Sequence, residues 1–234
     1  MSIKDKFEGL KDKAAKAYNE LGANPPHFNW MDGYVAGLIA DNTVGKKYKI
    51  IYADPAWSYS GQLFNRGGVK DKYQTLHKRN IEQLNVNAIA HTDSVLFMWA
   101  TYPKLEEALY IMRGWGFRYV TTAFTWVKTY EKSGKPFFGM GKWTRANSEI
   151  CLLGTKGNIS RVDASVPQVI LSPVGEHSKK PDEVRQRILK LMGDLPRIEL
   201  FAREKHIGWD AWGDEIQNDI EIPFNNFNAQ EDEK

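Results

Sequence analysis

KIIYADPAWSY, residues 49–59, joins a short apolar run to an abrupt stop. Ile50, Ile51 and Tyr52 are β-branched or aromatic, the make-up of a buried strand, and Asp54-Pro55-Ala56-Trp57 breaks that run at once. The break sets a carboxylate at the carboxyl end of a strand. In an open α/β sheet the loops leaving those ends line the crevice where ligands bind. An ordinary Asp-Pro turn would account for the first two letters. Trp57, two residues after Pro55, and the long Gly/Lys/Arg loop that follows point further.

Outward from this stretch, strand and helix patterns alternate. SVLFMWA (94–100) is a continuous apolar run suited to a parallel strand buried on both faces. Residues 119–128, 149–154, 168–171 and 197–202 read as further strands. Residues 80–90 read as a short helix, and Pro103 and Pro181 each open another at a favoured first turn. The pattern predicts an α/β fold: a mostly parallel sheet with helices on both faces. Two basic, glycine-rich loops interrupt it, residues 58–79 and 129–147, the second carrying Lys132, Lys135, Lys142, Trp143 and Arg145. Both are placed to meet phosphates over the crevice.

Residues 3–21 carry Phe7, Leu10, Ala14, Ala17, Tyr18 and Leu21 at helical spacing, stopped by Gly22 and Pro25-Pro26. The expected plan is therefore an amino-terminal amphipathic helix over residues 1–24, a catalytic domain over 25–222 and a disordered acidic tail over 223–234. The first helix reads as a packing or partner helix and leaves a homodimer open. Net charge is +3 over 234 residues, yet residues 1–213 hold 31 basic and 22 acidic side chains, a surplus of nine that suits a polyanion. The 29 aromatics (8 Trp, 10 Tyr, 11 Phe) are ample for a packed core. A single cysteine, Cys151, lies in the apolar segment SEICLLGT; it excludes a disulfide framework and reads as a buried thiol. The amino terminus is too charged for a signal peptide and no run of 18 apolar residues exists, so a cytoplasmic protein of a bacterial or phage-infected cell is expected.

YADPAW, VLFMWAT, GKWTRANSEICLLGTKG, EHSKKPDEVR and RIELFAREK followed by WDAWGDE occur in that order from about Tyr48 to Glu215. Together they resemble the adenine-N6 methyltransferase family named for the seventy-kilodalton (MT-A) subunit of messenger-RNA adenosine methyltransferase, in its short phage and bacterial form. The resemblance implies a Rossmann-like fold with permuted motif order, S-adenosyl-L-methionine (SAM) as methyl donor and no metal. Asp54, Pro55, Ala56 and Trp57 match the catalytic motif, with Ala56 where a second proline is usual. Lys180 matches the lysine that reaches the methionine carboxylate. Leu200, Phe201 and Arg203 match positions around the cofactor, and Asp214 and Glu215 the pair on its ribose hydroxyls. Lys205, His206 and Asp41 are further cofactor candidates. Tyr59, Arg66, Trp143, Arg145, Asn147 and Glu149 are expected beside the substrate, and His177 is not needed as a base.

The chemistry accounts for these residue types. The amino nitrogen of adenine is a weak nucleophile because its lone pair is delocalised into the ring. Two acceptors, the Asp54 carboxylate and the Pro55 carbonyl, can hold both N–H hydrogens and turn the lone pair toward a methyl donor. Trp57 can stack on the base, which leaves its helix when the substrate is a duplex. The backbone acceptor does not depend on the residue at 56, so activity is expected with Ala56. DNA is the favoured substrate. RNA is the close alternative, because none of these residues senses a 2′-hydroxyl; a non-catalytic partner subunit would not need Asp54, Pro55, Trp57 and Lys180 intact, and a small-molecule methyltransferase would not need the basic loops.

Overall fold

A computed structural model describes residues 45–57, 78–141, 143–175 and 179–225. The expectations for residues 1–44, the loop at 58–77 and the tail from 226 fall outside them. Seven strands form one sheet: β1 (Tyr48–Ala53), β2 (Ala90–Ala100), β3 (Arg118–Thr129), β4 (Ser148–Lys156), β5 (Val169–Pro173), β6 (Arg197–Leu200) and β7 (Asp210–Trp212). Their spatial order is β5-β3-β4-β2-β1-β6-β7. Every pairing is parallel except those of β4, which runs against both β2 and β3. The chain moves from β1 to one side through β2 and returns on the other side with β6. The order therefore reverses between β1 and β6, where crevices open in such sheets.

Alternation along each strand builds two cores. Ile51 and Ala53 of β1, Leu96 and Met98 of β2, Leu152 of β4 and Ile198 and Leu200 of β6 share one face. Two helices cover it, α1 (Lys78–Gln83) and α2 (Leu105–Gly114), through Ile81, Ala108, Ile111 and Met112. Ile50, Tyr52, Val95, Phe97, Trp99, Phe124, Trp126 and Cys151 point to the other face, under Val184, Ile188 and Met192 of α3 (Glu183–Met192). Successive residues of one strand serve opposite cores, and so VLFMWA reads as unbroken apolar sequence. Truncating one of the fully buried rings, such as Phe97, would cost about 3–5 kcal/mol. The Cys151 thiol is buried, and burial pushes its pKa well up, as suits a packing residue rather than a nucleophile.

Local chemistry sets the helix boundaries. Pro103 lies in a 3-10 turn (Tyr102–Lys104) that leads into α2, with Glu106 and Glu107 in the first turn of that helix and Arg113 in the last, complementing its dipole. The first bond of the α3 turn runs from Val184 N–H to the Pro181 carbonyl, 3.1 Å. Ile222 is buried, and Pro223–Asn225, the start of the expected tail, are tied down: Asn85 N–H donates to the Pro223 carbonyl (2.8 Å) and Asn225 N–H to that of Gln83 (2.7 Å). Among the described residues no helix is long and apolar enough to cross a membrane.

Candidate active site

β1 ends at Ala53, in register with Met98 of β2 and Leu200 of β6, so Asp54 emerges at the reversal point. Its N–H makes the last contact of the ladder, to the Leu200 carbonyl at 3.4 Å. Pro55 has no N–H to continue that ladder, and it is buried. The indole N–H of Trp57 donates to the Trp99 carbonyl (3.0 Å), which ties the aromatic ring to the neighbouring strand. Trp99 in turn donates to the Tyr52 hydroxyl at 2.7 Å, so the wall behind Asp54 is cross-linked by side chains.

Lys180, just ahead of α3, points back to the sheet with its side chain 9% exposed. Its ammonium lies 2.8 Å from the Asp54 carboxylate and 3.3 Å from that of Glu149, and 5.7 Å from the centroid of the Trp99 ring. Glu149 opens β4. Only because β4 runs backwards does its beginning, rather than its end, lie at the edge where Asp54 emerges. Lys128, near the end of β3, contacts the second oxygen of Glu149 at 2.5 Å. Burial works against the Lys180 charge, but Asp54 and Glu149 beside it outweigh that, and its pKa is raised. Burial likewise works against the Glu149 charge, and Lys180 and Lys128 outweigh it, holding that carboxyl below the usual range.

The second wall follows β6. Phe201 sits at φ 61°, a left-handed conformation unusual for a bulky residue and one that marks local strain. Its ring is held between Trp115, stacked at 6.4 Å, and Trp212, edge-on at 5.6 Å. A side chain at Gly213 would put its Cβ 2.1 Å from the Ala202 carbonyl, so the turn after β7 needs glycine to pack against the strand end. Between the walls lies a cleft of about 270 Å³ lined by residues that include Asp54, Lys180, Phe201, Arg203 and Glu215. On its floor Arg185 makes two 2.7 Å bonds to Glu199 and lies 5.7 Å from the centroid of the Tyr52 ring. At its rim Lys179 bridges Glu204 (2.8 Å) and Asp182 (3.4 Å). The cleft thus offers cations, carboxylates and an aromatic ring.

The structure gathers Asp54, Lys180, Phe201, Arg203 and Glu215 around this cleft, and Glu149 against Lys180. Leu200 lines the core instead, with only its carbonyl facing Asp54. Asp214 is exposed and outside the lining. Lys205 is paired with Asp219 at 2.5 Å, and His206 lies 3.5 Å from Glu204. Trp143 is 94% exposed on the loop between β3 and β4, at the same edge of the sheet, so core packing is not its role. The Arg145 guanidinium lies over Phe138 at 5.3 Å, and the Asn147 carbonyl accepts from Lys128 N–H at 2.8 Å. Asp41, Tyr59, Arg66 and His177 are outside the described residues. Sequence reasoning missed Lys128, Lys179, Arg185, Glu199 and Glu204. Of these only Glu199 carried a signal, an acid inside the apolar strand RIELFA.

The MT-A70 family model matches residues 48–215. Among relatives, the Type II methyltransferase M.MunI of a Mycoplasma species is 38% identical over 198 residues, which are 76% of this chain and 82% of that protein. A putative N(6)-adenosine-methyltransferase MT-A70-like protein of Medicago truncatula is 30% identical over 215 residues, 88% of this chain and 32% of that protein. The human N(6)-adenosine-methyltransferase catalytic subunit METTL3 is 28% identical over 184 residues, 75% of this chain and 29% of that protein. The chain spans about a third or less of these plant and human relatives.

Proposed function

Because the chain belongs to the MT-A70 family, a family of methyltransferases, we propose that it transfers a methyl group from SAM to N6 of adenine in DNA. The observation that carries this is Asp54-Pro55-Ala56-Trp57 leaving β1 at the reversal point, with Lys180 on the Asp54 carboxylate. SAM, when bound, supplies a methyl carbon made electrophilic by its sulfonium. Lys180 and Arg203 are the cations for its carboxylate, and Glu215 is an acceptor for its ribose hydroxyls.

The work of the protein is positioning. Asp54 and the Pro55 carbonyl each accept one N–H of the adenine amino group, and the lone pair is left facing the methyl carbon. Trp57, fixed through its indole N–H, offers a surface for the base. On gaining the methyl group the amino nitrogen would become acidic and release one proton. Asp54 is the carboxylate within reach. DNA is favoured by a relative named a Type II methyltransferase, of which this chain covers 82%, while the surplus of nine charges over residues 1–213 suits either nucleic acid. RNA is the second reading, favoured by relatives named N(6)-adenosine-methyltransferases.

The test offers duplex DNA, single-stranded DNA and RNA side by side to the full chain with tritiated SAM, followed by digestion to nucleosides. Label in N6-methyldeoxyadenosine is expected. Label only in N6-methyladenosine selects RNA. Calorimetric titration that finds no SAM binding, together with no label, overturns the enzyme reading.

A further inference from the structure

Four charges alternate in sign from the catalytic loop to the end of β3: Asp54, Lys180, Glu149, Lys128. The gaps are 2.8, 3.3 and 2.5 Å. Side-chain exposure is 9% for Lys180, 11% for Glu149 and 19% for Lys128, so water shields none of the three well. We propose that Lys128 is a positioning residue for methyl transfer, acting through Glu149 on Lys180. The proposal rests on the reading of Asp54 and Lys180 given above.

Charge balance is the first argument. Asp54, Lys180 and Glu149 alone sum to one uncompensated negative charge in a poorly hydrated site, and Lys128 neutralises it. Geometry is the second. Lys180 is divided between two carboxylates and sits closer to Asp54 because Glu149 is already engaged, at the shorter distance, by Lys128. Without Lys128, Glu149 would draw the Lys180 ammonium across the 3.3 Å gap and away from Asp54. Lys128 is also firmly held. Its ammonium lies 5.0 Å from the centroid of the Trp126 ring, and Trp126 packs edge-on against Trp99, the ring beside Lys180. Its backbone N–H donates to the Asn147 carbonyl (2.8 Å) and its carbonyl accepts from Phe137 N–H (2.7 Å). Lys128 is thus held by two points of the following loop, Phe137 in its middle and Asn147 at its far end. It does not line the cleft, so its influence passes through Glu149.

The experiment compares Lys128→Met, Lys128→Arg, Glu149→Gln and the double variant Lys128→Met/Glu149→Gln in the full chain. The substrates are labelled SAM and an adenine-containing duplex. Lys128→Met is expected to lower kcat at least 10-fold and to move the acid limb of the pH profile upward, since Glu149 then faces Lys180 alone. Lys128→Arg should recover most of the loss. The double variant should be more active than Lys128→Met, because it removes the stranded carboxylate as well. Among the described residues, Lys180 and Lys128 face Glu149, and Asp54, Glu149 and the Cys151 thiol face Lys180.

An unchanged kcat and acid limb in Lys128→Met, with unaltered melting, overturns the inference. So does a loss that neither arginine nor the double variant recovers. If the wild-type chain methylates no adenine, the proposed function fails by itself. The Glu149 carboxyl, followed by ¹³C NMR in wild type and Lys128→Met, then decides the inference: an upward-shifted titration in the variant supports it and an identical one overturns it.

Discussion

Two ion networks meet at the cleft, and adjacent lysines anchor them. At the rim, Lys179 is 48% exposed and bridges Glu204 and Asp182, which are themselves more than half exposed. At the floor, Lys180 is 9% exposed and bridges Asp54 and Glu149. The distances are alike, but the surroundings are not. Water and salt compete for every charge of the rim, so its pairs are worth little. The floor charges have no such alternative, and losing one partner strands another. Proximity in a list of contacts thus says less than what each group would face without its partner.

The sharpest way to break the comparison is Lys180→Met. It leaves Asp54 and Glu149 facing each other without their shared cation, and about 3–5 kcal/mol of stability should go with it, read by urea unfolding. Lys179→Ala, one residue away, should cost at most about 1 kcal/mol. Equal losses would erase the distinction. Next in size, Asp54→Ala should lower kcat by about 10²–10³ while the chain still melts cooperatively; adenine methylation retained in that variant would sink the acceptor role.

Acidity separates the networks less strongly. The Glu149 carboxyl is held below the usual range by Lys180 and Lys128, against its burial. Its contribution is complete above the ordinary glutamate range and is lost as pH falls through the depressed folded value. Stability measured from pH 6 downward should therefore drop in wild type, and drop less in Glu149→Gln. The smallest effect is that of salt. At 1 M the screening length is about 3 Å, so the small melting difference between wild type and Lys179→Ala should vanish, while that of Lys180→Met persists. Ala56→Pro should leave methylation essentially intact, since the proposed acceptor is the carbonyl of Pro55.

The sheet was legible wherever burial on both faces leaves an unbroken apolar run, as in VLFMWA, and the Asp54–Trp57 tetrapeptide because a carboxylate and Pro55 stop such a run at a strand end. β7 was not. Its three residues, Asp210–Trp212, are too few to show a period and are held by pairing with β6. The reversal of β4 was also hidden, since SEICLLGT reads the same in either direction. That reversal decides which end of β4 meets Asp54, so the partnership of Glu149 with Lys180 could not be seen from the residues. Lys128 escaped for a related reason: WVKT reads as a strand running out to solvent, and only the antiparallel register sets its ammonium against Glu149. Leu200 and Asp214 show the converse: each sits beside a residue that lines the cleft, Phe201 and Glu215, yet Leu200 is turned into the core and Asp214 to solvent.

The parallel pairing of β1 with β6 joins Ile50 to Arg197, which are 147 positions apart (197 minus 50). During synthesis at about 5–20 residues per second, roughly 7–30 s separate one strand from the other. Through that interval the Ile50–Ala53 segment has an open, apolar flank exposed to any other extended chain, a burden for folding helpers in the cell. The same delay has a second consequence: a ribosome-bound fragment that stops before β6 also lacks Phe201, Arg203 and Glu215, so a stalled or truncated product holds only one wall of the cleft.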